Sequence, residues 1–156
     1  MEYRRITGAT GLAALASLAF SAAAWSASVE ISAHSKAPFG TYLTDSAGRT
    51  VYMFTADKNG TSDCKGSCTK PWQPVLTTGT PKAGNGRESG ALSTIKRGNA
   101  EQVTYDGRPL YYFIRDKPAN STAGEGITHF GGSWYVVSPS GKGILPDGKV
   151  LAAGSS

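Results

Sequence analysis

The chain has 156 residues, one domain's worth of polypeptide at the usual roughly 100–200 residues per domain. Charged residues are 17% and apolar residues 39%, with 5 Phe, 3 Trp and 7 Tyr, which is too apolar and aromatic for a disordered tail. The 20 glycines point to many tight turns, and a net charge of +5 without any dense Lys/Arg run excludes a strong nucleic-acid signature.

Arg4 and Arg5 form a short positive segment, Gly11 to Ala24 is an uncharged run of small apolar residues, and Ala22-Ala23-Ala24 offers an A-x-A cleavage site. The pattern predicts a secretory signal over 1–24, with an alternative cut after Ser26. Ala, Ser and Gly dominate where a stable span needs Leu, Ile and Phe, so no stable membrane insertion is expected after cleavage. Removing Glu2, Arg4 and Arg5 lowers the net charge from +5 to +4. The protein is thereby expected to be exported, periplasmic or extracellular. An N-terminal extension follows over 25–38, with His34 in a flexible-looking segment.

A first repeat is read over 39–78. Tyr42 to Thr44 alternates, Asp45-Ser46-Ala47-Gly48 makes a turn, and Thr50 to Thr55 is a strand of β-branched and aromatic residues. Cys64 and Cys68, the only cysteines, follow in a C-x3-C loop. In an oxidising compartment such a pair is most simply a disulfide, which would staple one loop at a gain of about 2 kcal/mol. The alternative is a copper-binding or thiol-redox pair completed by His129, as in copper chaperones of the Sco type. Those sit on a thioredoxin-like scaffold, and this chain has no long amphipathic helix to build one. A soft copper site using Met53 is also conceivable in chemistry, but Met53 lies inside an apolar strand.

A Gly-rich connection over 79–90 carries Gly79, Gly84, Gly86 and Gly90 and few large apolar groups. A second repeat, with a terminal hairpin, is read over 91–152. Leu92 to Ile95 and Glu101 to Tyr105 flank a turn, and Tyr105-Asp106-Gly107 makes a second one with a strong Asp-Gly signal. Gly107 to Asp116 then matches Gly48 to Asp57 at a constant offset of 59 residues, with Gly, Arg, Tyr, Phe and Asp identical. Trp72 corresponds to Trp134 at an offset of 62. Alternation puts Tyr52 with Phe54, and Tyr111 with Phe113, on one face. Val51 and Met53, and Leu110, Tyr112 and Ile114, take the other. Apolar groups on both faces suit strands covered on both sides. A short hairpin around Leu145-Pro146-Asp147-Gly148 and a tail over 153–156 end the chain. No helical period of useful length appears after the signal. The fold class is therefore all-β, a compact domain of two duplicated hairpin-containing repeats with a pseudo-twofold relation.

The twice-repeated Tyr-x-Phe-x-x-Asp resembles the Y-x-[FWY]-x-x-D signature of a bacterial secreted-repeat family described as predicted lipoproteins. The Cys64-x3-Cys68 loop before Pro71-Trp72-Gln73-Pro74, and the Gly124-Glu125-Gly126 loop before Trp134, are similar to that family's pattern. The resemblance covers about Phe39 to Ser138. The lipobox Cys of lipoprotein members is missing. The resemblance implies export and a duplicated β-domain, and no established reaction.

Asp57 and Asp116 invite an acid–base reading. Each instead ends a strand before a turn, neither sits in an Asp-Thr/Ser-Gly setting, and turn-capping is the simpler role. Tyr52, Phe54, Trp72, Tyr111, Phe113 and Trp134 read as core aromatics, with a sugar or cell-wall platform as the rival. No Ser/His/Asp or Cys/His arrangement can be ordered from the sequence. The reading is a non-enzymatic exported β-domain without a cofactor, binding a cell-envelope component or small ligand and no nucleic acid.

Overall fold

The computed structural model describes residues 28–85 and 91–152. The predicted signal, both cleavage positions, Gly86, Gly90 and the tail over 153–156 lie outside the described residues.

The described chain is almost entirely strand and turn. The first half of the described chain holds β1 (Glu30–Lys36), β2 (Gly40–Asp45), β3 (Tyr52–Phe54), a 3-10 turn (Gly66–Thr69), β4 (Trp72–Pro74), β5 (Leu76–Thr77) and β6 (Lys82–Ala83). The second holds β7 (Leu92–Arg97), β8 (Ala100–Tyr105), β9 (Arg108–Pro109), β10 (Tyr111–Phe113), β11 (Thr128–His129) and β12 (Gly132–Val136). They form three sheets in the orders β2-β1-β6, β11-β12-β3-β10-β4 and β5-β8-β7, with β9 also on β8. The all-β fold read from the sequence is what the chain adopts.

Both motif strands lie side by side in the middle of the five-stranded sheet, antiparallel, with Tyr52 opposite Tyr111. Their alternation divides the core in two. Tyr52, Phe54, Tyr111 and Phe113 enter an aromatic cluster with Trp72, Trp134 and both cysteines. Val51, Met53 and Leu110 enter an aliphatic cluster with Ile31, Leu43, Val75, Val103 and Val137. A period of two thus feeds both sides of a sheet covered on both faces.

Matched residues of the two repeats make matched backbone bonds. Leu43 N–H donates to Val137 O and Val103 N–H to Val75 O, each at 2.8 Å. Asn120 N–H donates to Gly48 O at 2.7 Å, and Gly60 N–H to Gly107 O at 2.8 Å. Each repeat therefore closes its turn with a loop of the other. The Asp106-Gly107 turn has positive φ at both residues (48° and 74°), the mirror-image turn that suits a hairpin's twist.

Three local expectations change. His34 is not in a loose extension: it lies in β1 opposite Tyr42, its ring edge-on to that tyrosine at 5.6 Å. The extension could not be read as sheet because its register is set by β2. Likewise Lys82–Ala83 of the connection pairs in parallel with Glu30–Ile31, a two-residue strand too short to leave a pattern. Ile114 does not share the buried face of Leu110, because β10 ends at Phe113; it is 46% exposed.

Candidate functional site

The motif residues meet in a reciprocal arrangement. The Tyr111 hydroxyl of the second repeat donates to Asp57 Oδ2 of the first, and Tyr52 of the first donates to Asp116 Oδ2 of the second, each at 2.7 Å. The other carboxylate oxygens hold their own loops. Asp57 Oδ1 accepts Asp63 N–H at 2.7 Å, while Asp116 Oδ1 accepts Ala123 N–H at 2.8 Å and Ser121 Oγ–H at 3.1 Å. Each aspartate thus caps a loop and receives a tyrosine from the opposite repeat. A third bond of this kind runs from the Tyr112 hydroxyl to Asp45 Oδ2 at 2.9 Å.

Burial dominates the electrostatics. Asp57 is 2% exposed, and desolvation pushes its carboxyl up to about 6, while the bonds from Tyr111 and Asp63 N–H pull it down. Asp116 is also raised by burial and pulled back by Tyr52, Ala123 and Ser121. Both tyrosines are held far above the ordinary phenol range, by burial first and by their carboxylate partners next. The charges acting on Asp57 are Asp63 and Arg97, and the one acting on Asp116 is Lys36. A pair of carboxylates splitting acid and base roles needs a shared reacting site. Here each faces a tyrosine and a capped loop instead.

The six aromatics form one packed unit. Phe54, Trp134 and Trp72 stack face to face with centroids 4.1 and 3.9 Å apart, and Phe113 extends the row at 4.4 Å with its ring tilted by 30°. Tyr52 stands edge-on to Trp72 at 5.4 Å, and Tyr111 edge-on to Trp134 at 5.1 Å. Such pairs contribute about 0.5–1.5 kcal/mol each beyond area burial. Gly124 lets this row close: a Cβ there would stand 2.8 Å from Trp72 Cη2 and 3.0 Å from Tyr52 Cζ.

A disulfide joins Cys64 and Cys68, with Cα atoms 5.3 Å apart. The residues are 0% and 3% exposed and pack against the aromatic cluster, so an attacking thiol has no open approach. The copper alternative built on Cys64, Cys68 and His129 is corrected on this ground. The two sulfurs bond each other and neither is a thiolate ligand. His129 stands on exposed β11, its ring 4.0 Å from Phe130. Among the described residues no group of three or more His, Cys, Asp or Glu is placed to hold a metal.

One end of the aromatic row opens to the surface. Trp72 and Phe113 contribute to a groove of about 360 Å³ whose remaining walls include Ile114, Ile127, Lys70, Arg115 and His129. Two fixed cations and a histidine line it, and no carboxylate does. Sequence reasoning missed this groove, since its walls come from three separate stretches of chain. It also left unread the burial of Glu125, whose Oε2 accepts Val136 N–H at 2.7 Å while Oε1 is buried without a partner among the described residues. Burial pushes that carboxyl up to about 8.

No curated protein and no solved structure matches the chain. A family model described as "Secreted repeat of unknown function" matches it twice, over residues 34–76 and 93–138. The two matches cover more than half of the chain and divide where the motif strands divide, so the chain belongs to this family of secreted repeats.

Proposed function

We propose that the protein is an exported, non-enzymatic β-domain that binds a small amphiphilic anion in the groove at the open end of its aromatic row. The observation that carries this reading is the groove's lining: an aromatic and aliphatic floor with Lys70, Arg115 and His129 around it and no carboxylate. An apolar pocket with a few placed charges is the usual form of a small-molecule site, and the sign here favours an anion. The aspartates and tyrosines of the repeat motif serve the fold in this reading, holding the two halves together. The reciprocal Tyr–Asp bonds and matched backbone bonds support a pseudo-twofold relation between repeats 39–78 and 91–152, linked by 79–90. Family membership supports export, after removal of a signal over 1–24 into the periplasm or medium.

The test is a titration of the mature protein with anilinonaphthalene sulfonate, a planar aromatic anion, followed by quenching of tryptophan emission from the Trp72–Trp134 row. Saturable binding is expected, weaker by about tenfold in the Lys70→Glu, Arg115→Glu double variant, since two exposed charges are reversed at the groove. Equal affinity in that variant, with the fold intact by circular dichroism, would refute the assignment.

A further inference from the structure

A second open cavity, of about 630 Å³, shares no lining residue with the groove. The disulfide loop forms one wall with Ser62, Lys65, Gly66 and Thr69, and the β7–β8 hairpin the other with Lys96 and Arg97. No carboxylate lines it.

Arg97 is the centre of this cavity's chemistry. Its Nη1 donates to Ser62 Oγ and, at 2.9 Å, to Gln102 Oε1, and its Nη2 donates to the carbonyl of Cys64. All three acceptors are neutral. Gln102 is fully buried and held in turn by donating from Nε2 to Leu110 O at 2.8 Å. The guanidinium is therefore fixed by the core rather than free to swing, and two of its five N–H donors remain to be used. The nearest carboxylate in this network, Asp57, is reached only through Ser62 and the Tyr111 hydroxyl, 2.6 Å apart. Lys65 is carried inside the Cys64–Cys68 loop and makes no ion pair among the described residues. Lys96 meets Glu101 at 2.7 Å, outside the cavity lining.

A half-buried, preorganised cation bonded only to neutral groups, beside the ammonium groups of Lys65 and of the Glu101-paired Lys96, is an arrangement suited to an oxyanion. We propose that this cavity binds a phosphate group. Arg97 donates from its two remaining N–H groups, Lys65 and Lys96 supply charge, and the disulfide holds Lys65 at the mouth. The site is independent of the amphiphile groove, so each assignment stands or falls by itself. The phosphate belongs either to the free ion or to a phosphodiester polymer of the envelope, which present the same oxygens.

The experiment is an amide and guanidinium nuclear magnetic resonance titration of the mature, oxidised protein with inorganic phosphate at constant ionic strength. Saturable shifts are expected at Ser62, Lys65, Gly66 and Arg97, with a dissociation constant of about 1 mM, and none at Lys70 or Arg115. Arg97→Lys keeps the charge and loses the fork, and is expected to weaken binding about tenfold. Because Arg97 also bonds the core, Lys65→Gln with Lys96→Gln supplies a second variant that leaves those bonds intact; about a threefold weakening is expected from each exposed charge. A glycerol-phosphate oligomer distinguishes the sources: tighter binding per phosphate assigns the polymer, equal binding the free ion. Absence of saturable shifts, shifts spread equally over Lys70 and Arg115, or unchanged affinity in the lysine double variant would overturn the proposal.

Discussion

Replacing Tyr111 by Phe removes one oxygen and leaves the ring in place, so it deletes the bond to Asp57 together with the 2.6 Å bond to Ser62, and only the first of these losses depends on pH. The Asp57 carboxyl is 2% exposed and retains Asp63 N–H at 2.7 Å once the phenol is gone. A hydrogen bond to a charged, buried group contributes roughly 1.5–3 kcal/mol, against about 1 kcal/mol between neutral partners. The folded pKa of Asp57, about 6, lies above the ordinary value of 3.8. At about pH 8 the carboxyl is ionised, and the substitution should cost about 2 kcal/mol. At about pH 5 the folded group is largely protonated, and the cost should fall to about 1 kcal/mol. The sign follows from linkage. Tyr111 favours the charged form, so its loss raises the folded pKa further, the native state holds its proton to higher pH, and stability declines more steeply as pH rises. Tyr52→Phe should cost about 1–2 kcal/mol: half-buried Asp116 retains both Ser121 and Ala123 as donors, while the buried Gly124 N–H loses the Tyr52 oxygen as its acceptor. Urea unfolding followed by tryptophan fluorescence measures both, and at about 4 °C per kcal/mol the Tyr111 variant should melt about 8 °C lower at the higher pH. A Tyr111 cost below about 0.5 kcal/mol at both pH values, or one that does not grow from the lower pH to the higher, would refute the reasoning.

Three further outcomes follow from the same contacts. Cys64→Ser with Cys68→Ser should cost about 2 kcal/mol by loop-closure entropy and leave near-ultraviolet circular dichroism native-like, since the bridge closes a separation of only 4 residues. Gly124→Ala should destabilise by about 1–3 kcal/mol through overpacking and perturb the tryptophan dichroism, because its Cβ meets the rigid rings of Trp72 and Tyr52. Glu125 has a folded pKa of about 8 against an ordinary 4.5, so the native state binds the extra proton between them and stability falls as pH rises through that window. Partial solvent screening limits this loss to about 2 kcal/mol, and melting temperatures of Glu125→Gln should be flatter with pH across the same range.

How much of this was legible depended on whether the signal was local. The strands around Tyr52 and Tyr111 were legible because aromatic and β-branched residues recur at an offset of 59, and each copy carries its own turn. The Asp106-Gly107 turn was legible because two consecutive positive-φ positions demand such residues. The disulfide followed from spacing and compartment. The partners of Asp57 and Asp116 were not legible: their tyrosines lie 54 and 64 residues away, and a motif written Tyr-x-Phe-x-x-Asp suggests that its own Tyr and Asp belong together. In the fold they are exchanged between repeats. Arg97 and Glu125 were hidden for a related reason, since nothing in a hairpin tip or a Gly-Glu-Gly loop announces burial. His34 was misplaced because β1 has a soft alternation and gains its register from β2.

The duplication also separates what serves the fold from what is free to be specific. Every position identical in both copies that bears an aromatic or acidic side chain is consumed by the core: the tyrosines by the aspartates, the phenylalanines by the tryptophan row. The groove's cationic rim comes from positions where the copies differ, above Trp72 and Phe113, which both copies share. Ile114 and Arg115 line the groove, while their counterparts at the same offset are Thr55 and Ala56. There Thr55 turns inward and accepts Ser133 N–H at 2.8 Å, so the first copy presents no matching cationic rim. Gln102, which orients Arg97, corresponds to Tyr42, whose hydroxyl reaches Asn120 O at 3.3 Å instead. The C-x3-C loop, too, has no second copy. A repeat that doubled its core without doubling its surface retains one scaffold and gains two unlike faces. In the proposed reading, ligand recognition lies with Arg97, Lys65, Arg115 and Lys70, and the conspicuous Tyr-x-Phe-x-x-Asp motif holds the scaffold beneath them.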